Sequence, residues 1–346
     1  MIKPYNKAEV TFDIIREIGQ EGQNSKVYVA HDHNLDAELV VKKIEKAKIR
    51  NPQEYFRESR VLYMSAHPNV VPVHYACEDA DAVYIAMPYY QNGSINSLLD
   101  DRFLTVREIL VYACQFLSGL HNVHSKRLIH FDIKPANILI SNTNEALLSD
   151  FGIAKHTNPV GVAGQDTFYF SIRPPEALDN DHFSTACDVY QVGLTLYRMC
   201  NGNEDYYRQL GIYGDRNNFD RNAFRYDLRN GRFPNRASFL PHIPEKLRKV
   251  VKKCLEANPD NRYASIIDIS NALAEIDGNE LDWQHSVEGG KLVWKKQADG
   301  NLYTLEVDEN QKSVAKKRTS VRESRMTTYC LDGIQPRKIR EFLKVT

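Results

Sequence analysis

Apolar and polar positions change their period several times along this chain, and the changes divide it. From Val10 to Ala30 (VTFDIIREIGQEGQNSKVYVA) apolar and polar residues alternate, and 14–18 and 26–30 read as two strands around a glycine-containing turn. Leu39-Val40-Val41 and AVYIAM at 82–87 predict further strands. Between them, 52–66 predicts a helix: Pro52 suits a first turn, and Phe56, Val61, Leu62 and Ser65 recur on one face. A short helix is expected from Gly93 to Leu99. A longer apolar stripe follows at helical spacing: Ile109, Leu110, Ala113, Phe116, Leu117, Leu120 and Val123. Thr105 and Glu108 just ahead of it predict a capping box.

Two short apolar runs, 138–140 and 146–148, flank Asn142-Thr143-Asn144 and predict a hairpin. Residues 201–236 are polar and rich in Tyr, Asn and Arg, and read as a connector with one helix near Phe224 to Leu228. Helices are expected at 245–256 and 266–276. After Gly278 the alternation returns. Residues 292–294, 302–307 and 313–315 predict strands between Asp-Gly and Asp-Glu-Asn turns, before an amphipathic helix from Pro336 to Val345.

A length of 346 residues exceeds one simple core and implies two or three lobes. The 45 basic and 45 acidic residues cancel, so no overall field points to nucleic acid or an anionic membrane. Local clusters at 316–326 (KKRTSVRESRM) and 337–340 (RKIR) leave an acidic or nucleic-acid partner open there, beside the plainer reading of a solvated basic face. The six cysteines form no C-x-x-C pair and read as small buried thiols of a reducing compartment. No signal-like or membrane-length apolar run is present, so a cytoplasmic protein with no membrane contact is expected.

The chemistry concentrates in HFDIKPANILISNTNEALLSDFG, residues 130–152. Asp132, Lys134, Asn137 and Asp150 stand at the ends of the predicted hairpin. Oxygen ligands could converge there on a hard cation while a further carboxylate meets a nucleophile. Lys42 ends an apolar strand, where an ammonium needs an anion to offset its desolvation. Lys43 points to the other face, although a one-residue shift of register would exchange the two. Glu58 and Glu54, one turn apart on the predicted helix, are the carboxylates within reach. Gly19 and Gly22 would let backbone amides approach an anion. His121 and His124 lie three apart on a helix, but with no third ligand they read as structural.

The string H-x-D-x-K-x-x-N followed by D-F-G resembles the catalytic loop and metal-binding segment of eukaryotic-type protein kinases, and Lys134 resembles the Ser/Thr class. Leu39-Val40-Val41-Lys42 is similar to the family's V-A-I-K strand, HPNVV at 67–71 to its exit from the glutamate helix, and Pro174-Pro175-Glu176 to its A-P-E close. The resemblance implies an α+β bilobal fold: a β-rich lobe over 1–90 and a helical lobe over 91–277. The accessory β-rich module over 278–346 resembles no recognised family. The kinase resemblance also implies ATP and Mg²⁺, a protein substrate and autophosphorylation. Asp132 would orient the substrate hydroxyl, Lys134 would neutralise the transferred phosphoryl, Lys42 with Glu58 would hold the nucleotide, and Asn137 and Asp150 would hold Mg²⁺. Gly19, Gly22, Ser25 and Val27 would cover the phosphates, and Met87 and Tyr89 would meet the adenine beside Pro88, which lacks a backbone donor. Asp188 would cap the catalytic loop, and Arg262 would pair with Glu176.

Three departures stand out. The glycine loop carries one extra residue, and Ser25 replaces its last glycine, which bears on nucleotide affinity. Tyr169 replaces a threonine near the substrate. Phe131 replaces the arginine that an activation-segment phosphate compensates, so phosphorylation at Thr157, Thr167, Tyr169 or Ser171 is not expected to act through that contact. The rival reading is a pseudokinase scaffold working through its C-terminal module. The full set of Lys42, Asp132, Asn137 and Asp150 speaks against it.

Overall fold

The computed structural model describes residues 9–18, 25–49, 51, 54–166, 168–215 and 217–345. The small lobe is an antiparallel sheet of β1 (Phe12–Ile18), β2 (Ser25–Asp32), β3 (Ala37–Glu45), β4 (Tyr75–Glu78) and β5 (Ala82–Pro88), in the order β1-β2-β3-β5-β4. β2 and β3 form a hairpin whose turn Asp32 organises, its Oδ1 accepting the amides of Asn34 at 2.8 Å and Leu35 at 2.9 Å. Ala30, Leu39, Val41 and Ala86 form the apolar face. The helix α1 (Arg57–Met64) buries Val61 and Leu62. It begins later than the sequence pattern predicts, with Phe56 as a cap that offers no side-chain acceptor. Pro52 lies outside the described residues. β4 carries no run long enough to announce itself in the sequence, and pairing with β5 supplies its conformation.

The large lobe is helical. It contains α2 (Ile95–Asp101), α3 (Val106–Ser125), β6 (Leu128–Ile129), β7 (Ile138–Ile140), β8 (Ala146–Leu148), β9 (Lys155–His156), β10 (Ala163–Gly164), β11 (His182–Phe183) and α4 (Ala186–Asn201), followed by α5 (Asn203–Gly211), α6 (Arg221–Arg229), α7 (Glu245–Cys254) and α8 (Ile266–Ala274). The Thr105–Glu108 capping box opens α3, and β7 and β8 pair as a hairpin. Where the sequence predicts a connector with one helix, two are present. α5 begins directly after Gly202, whose φ of 84° breaks the backbone between it and α4. α4 is buried along almost its whole length, and Gly193 makes this fit possible: a Cβ there would stand 2.8 Å from that of Cys254. The six cysteines are unpaired, but Cys114 is exposed, contrary to the reading of buried thiols, because it falls on the solvent side of α3.

The third unit is a five-stranded meander: β12 (Gln284–Glu288), β13 (Lys291–Ala298), β14 (Asn301–Val307), β15 (Ser313–Arg318) and β16 (Glu323–Arg325), with α9 (Pro336–Val345) across it. Asp299 and Gly300 turn β13 into β14 with φ of 49° and 73°, the left-handed pair a two-residue hairpin demands. Trp283, Trp294, Leu305, Phe342 and Leu343 fill the space between sheet and helix. The fold is thus α+β, bilobal, with a small β-rich module at the end of the chain. Among the described residues no helix is long and apolar enough to cross a membrane.

The module sits on the large lobe. Arg107 on α3 makes a two-pronged ion pair with Asp282 at 2.5 and 2.8 Å, and Gln284 donates to the Phe103 carbonyl at 2.8 Å. Trp294 Nε1 donates to His242 Nδ1 at 3.2 Å and its ring stacks on His285 at 4.7 Å. Burial pushes His242 down to about 3 and His285 to about 4, so both are neutral in the fold. The unfolded chain therefore binds more protons as pH falls below about 6.5, and stability drops from there until the folded values are reached. Each histidine contributes at most about 1.4 kcal/mol per pH unit across that window. The melting temperature is expected to fall between pH 7 and 5, and His242→Gln with His285→Gln should flatten that slope. An unchanged slope in the double variant would show that other groups set it.

Candidate active site

The site forms at the junction of the two lobes, from two clusters of side chains. Lys42 lies on β3, flanked in register by Val27 on β2 and Ile85 on β5. Its side chain is buried, so its ammonium must be met by anions. α1 brings Glu58, and the segment after β8 brings Asp150. Lys42 Nζ donates to Glu58 Oε1 at 2.7 Å and to Asp150 Oδ1 at 2.8 Å. This resolves the register: the neighbouring Lys43 instead lies 5.8 Å from the Tyr84 ring centre, and Glu54 is exposed. Burial works against the Lys42 charge, but Asp150 and Glu58 outweigh it and raise its pKa. Burial would also lift Asp150, yet the Lys42 ammonium holds it down at about 2. Glu58, enclosed beside a second carboxylate, is shifted upward by burial. A Cβ on Gly152 would come within 3.3 Å of Asp150 Oδ1 and 3.5 Å of Lys42 Nζ, so glycine keeps this ion cluster uncrowded. Asn122 anchors the end of α1 by donating to Ser65 O at 2.8 Å, and Arg57 ties its start to the Ala154 carbonyl.

The second cluster is the loop after β6. Its backbone is held from below by α4, in which polar residues interrupt an apolar helix. Asp188 accepts the amides of His130 and Phe131, both at 2.8 Å, and meets His124 Nε2 at 2.8 Å. Gln191 accepts from Ile133 N at 2.9 Å and donates to Phe131 O at 2.7 Å. His130 receives the Asp132 amide on Nδ1 at 3.3 Å and donates from Nε2 to Ser149 O at 3.1 Å, joining the loop to the strand end that carries Asp150. Phe131 and Asp150 adopt φ of 66° and 58°, a conformation that costs free energy and is sustained by these bonds.

So held, Asp132 points inward. Its Oδ2 accepts from Asn137 Nδ2 at 2.7 Å and faces Lys134 Nζ at 3.2 Å, while its buried Oδ1 has no partner among the described residues. Burial raises Asp132 to about 6 against the pull of Lys134. Asn137 spends its amide nitrogen on Asp132 O, at 2.9 Å, and on Oδ2. Its amide oxygen therefore remains an acceptor. With Asp150, that makes a hard oxygen set which fits a divalent cation of the Mg²⁺ type, and the ammonium groups of Lys42 and Lys134 fit a polyphosphate.

The structure thus brings Lys42, Glu58, Asp132, Lys134, Asn137 and Asp150 together. Ser25 and Val27 lie on β2 of the same sheet. Met87 lies near the end of β5. Tyr89, just past it, engages β1, its hydroxyl accepting from Arg16 at 2.6 Å. Gly19, Gly22 and Thr167 lie outside the described residues. Sequence reasoning missed Gln191, whose signal was a polar side chain one turn after Asp188 in an apolar helix. It placed Tyr169 near the substrate but not against Lys134, whose Nζ lies 3.9 Å from the centre of the tyrosine ring. Further along, Arg262 grips Glu176 with two bonds at 2.8 and 2.7 Å and fixes the end of the segment that starts at Asp150.

Phe131 packs into an apolar cluster with Phe168 at 5.9 Å and Phe183 at 6.1 Å, joined by Ala163 and Cys187. Aromatic packing here holds a segment that an arginine could hold only with an anion. Thr157→Ala with Thr167→Ala is therefore expected to retain most of the wild-type turnover. Full loss of activity in that double variant would show that phosphorylation is required.

The family model described as protein kinase domain matches residues 12–274, and the chain belongs to that family. It is 27% identical over 312 residues to the serine/threonine-protein kinase PknD of Chlamydia trachomatis serovar D, covering 79% of this chain and 32% of the relative. The PknD of Chlamydia pneumoniae is 28% identical over 299 residues, covering 75% and 30%. That of Chlamydia muridarum is 25% identical over 319 residues, covering 79% and 32%. The chain spans about a third of the length of these curated relatives, the largest of the three shares being 32%.

Proposed function

We propose that this protein is a Ser/Thr protein kinase that transfers the γ-phosphoryl of ATP to a protein hydroxyl and to its own chain. The observation that carries the reading is Lys42 bonded at once to Glu58 and Asp150 beside an Asp132 with one free carboxylate oxygen. In this reading Lys42 draws the nucleotide phosphates to a point fixed by α1. Asp132 orients the acceptor hydroxyl and takes its proton on the oxygen that has no other partner. Lys134 lies beside it to meet the negative charge of the group in transit. Asn137 and Asp150 would hold Mg²⁺, which when bound supplies positive charge to the phosphate oxygens. Val27 and Met87 contribute the apolar walls for the base, and Tyr89 the turn that follows them.

The test is incubation of the full chain with ATP, Mg²⁺ and a mixed protein substrate, with phosphorylated serines and threonines read by mass spectrometry. Transfer that depends on Asp132 supports the reading, and nucleotide binding without transfer would favour the scaffold alternative. The six unpaired thiols support a reducing, cytoplasmic location.

The C-terminal module is read as a partner-binding surface with an acidic partner, protein or nucleic acid. Arg318, Arg322 and Arg325 are exposed on its β15–β16 edge. Part of that charge is already met, since Lys316 pairs with Glu323 at 2.9 Å. A chain that passes unretained through a heparin column at low salt would remove this last reading.

A further inference from the structure

Beyond the catalytic cluster, the segment from Asp150 to Glu176 borders a second concavity of about 360 Å³, whose chemistry is unlike that of the nucleotide cleft. Its floor is aromatic. Phe170 lies 4.3 Å from Phe219 and 4.2 Å from Phe224, ring centre to ring centre, and Tyr213 backs Phe224 at 5.2 Å. Its rim is cationic, with Arg173 at the end of the segment and Arg221 and Arg225 on successive turns of α6.

These guanidinium groups have no carboxylate partner among the described residues. Arg225 donates to the Leu178 carbonyl at 3.3 Å. Arg173 Nε is buried with no acceptor among the described residues, and burial together with the nearby Arg225 charge lowers its pKa. The acids on the surrounding elements are engaged elsewhere. Asp179 is held by Arg229 at 2.6 and 2.8 Å, and Glu176 by Arg262. Asp227 accepts from Tyr213 at 2.9 Å, and Asp220 caps the amides of Asn222 and Ala223. Like charges gathered over an apolar floor, one of them partly desolvated, are costly in the free protein and are relieved by an anion.

The position of the concavity says what delivers that anion. Phe170 directly follows Tyr169, whose ring covers Lys134 beside Asp132. A polypeptide whose hydroxyl reaches Asp132 must pass this segment. We infer that the Phe170–Arg173–Arg225 pocket is a specificity-determining docking site for an acidic segment of the protein substrate, one that carries a carboxylate or phosphate beside a large apolar residue. The anion meets the arginine rim, and the apolar side chain covers the phenylalanine floor. This inference rests on the protein-kinase reading for the identity of the partner, but not for the binding itself.

The experiment uses the full chain and fluorescein-labelled peptides containing one Phe, with Ala at the acceptor position so that binding is read without catalysis. Glu, Gln and phosphoserine are scanned through the flanking positions, and dissociation constants are measured by anisotropy at low and high salt. At one or more positions the anionic peptide should bind about tenfold more tightly than its Gln counterpart, with the gap closing at high salt. Glu and phosphoserine distinguish a genetically encoded acid from a previously phosphorylated segment. In Arg221→Glu with Arg225→Glu, both on the exposed side of α6, the anionic-to-Gln ratio should collapse at an unchanged melting temperature. Equal binding of Glu, phosphoserine and Gln peptides at every position overturns the pocket, as does a preference that survives the double substitution. Restoring serine then separates the two readings. Transfer without acidic preference sinks the pocket and keeps the kinase, whereas preference without transfer does the reverse.

Discussion

Asp132→Asn is expected to lower phosphoryl transfer by about 10²–10⁴-fold while nucleotide affinity stays close to wild type. The substitution keeps shape and removes one property. Asp132 Oδ2 already accepts from Asn137 and faces Lys134, so these two groups position the side chain, while Oδ1 is buried without a partner among the described residues. An amide in its place would either turn an NH₂ toward Asn137 and Lys134, which are themselves donors, or present that NH₂ to the incoming hydroxyl. The first orientation still offers the hydroxyl an amide oxygen, but that oxygen is too weakly basic to take the proton, and the second offers no acceptor at all. The nucleotide-facing group is separate: Lys42 is bonded to Glu58 and Asp150, not to Asp132. Single-turnover transfer and equilibrium titration with a fluorescent nucleotide should therefore dissociate in this variant. A variant that loses both equally would mean that Asp132 acts by holding the cleft together. One that keeps full transfer would remove Asp132 from the chemistry.

The same geometry explains how much of the site the amino-acid string could reveal. Lys134, Asn137 and Asp150 lie close to Asp132 in sequence because one loop and one short hairpin carry them all, so their spacing nearly specifies their convergence. Lys42 and Glu58 depend on long-range packing. A desolvated lysine at a strand end signals that an anion must come, but not from which helix; Glu58 was the favoured partner with Glu54 as runner-up, and the start of α1 at Arg57 leaves Glu54 outside the helix. The support from α4 was half legible. Asp188 stood out at the head of an apolar stretch, whereas Gln191 carries no charge, and its polarity within an apolar helix was the one mark of a side chain that holds two backbone groups of the loop. The cationic pocket was hidden for a different reason. Phe170, Phe219 and Phe224 come from a loop, a connector and a helix, and only their packing shows that the arginines beside them lack acids. In the C-terminal module, alternation disclosed three strands and the last helix. β12 and β16 are edge strands whose polar outward faces break the period.

Trp294→Ala should reduce stability by about 3–5 kcal/mol, and the loss should spread into the large lobe rather than remain in the module. The indole is fully buried, stacks on His285 and gives its only N–H to His242, which belongs to the large lobe. Truncation would leave a cavity and strand His242 Nδ1 as a buried acceptor, so transfer and desolvation costs act together. Trp283 offers the matching control. It is equally buried in the same module core, but its N–H goes to Leu343 O at 2.8 Å, on α9. Trp283→Ala should cost a similar amount and loosen α9. Hydrogen exchange separates the two. Trp294→Ala should speed exchange near Phe103 and His242 as well as in β12 and β13, and Trp283→Ala should leave the lobe segments protected. Identical exchange maps for the two variants would show that the indole of Trp294 serves only the module core. The Arg107–Asp282 pair and the Gln284 bond to Phe103 would then hold the module on the lobe, and these half-exposed contacts should yield to salt where the buried indole does not.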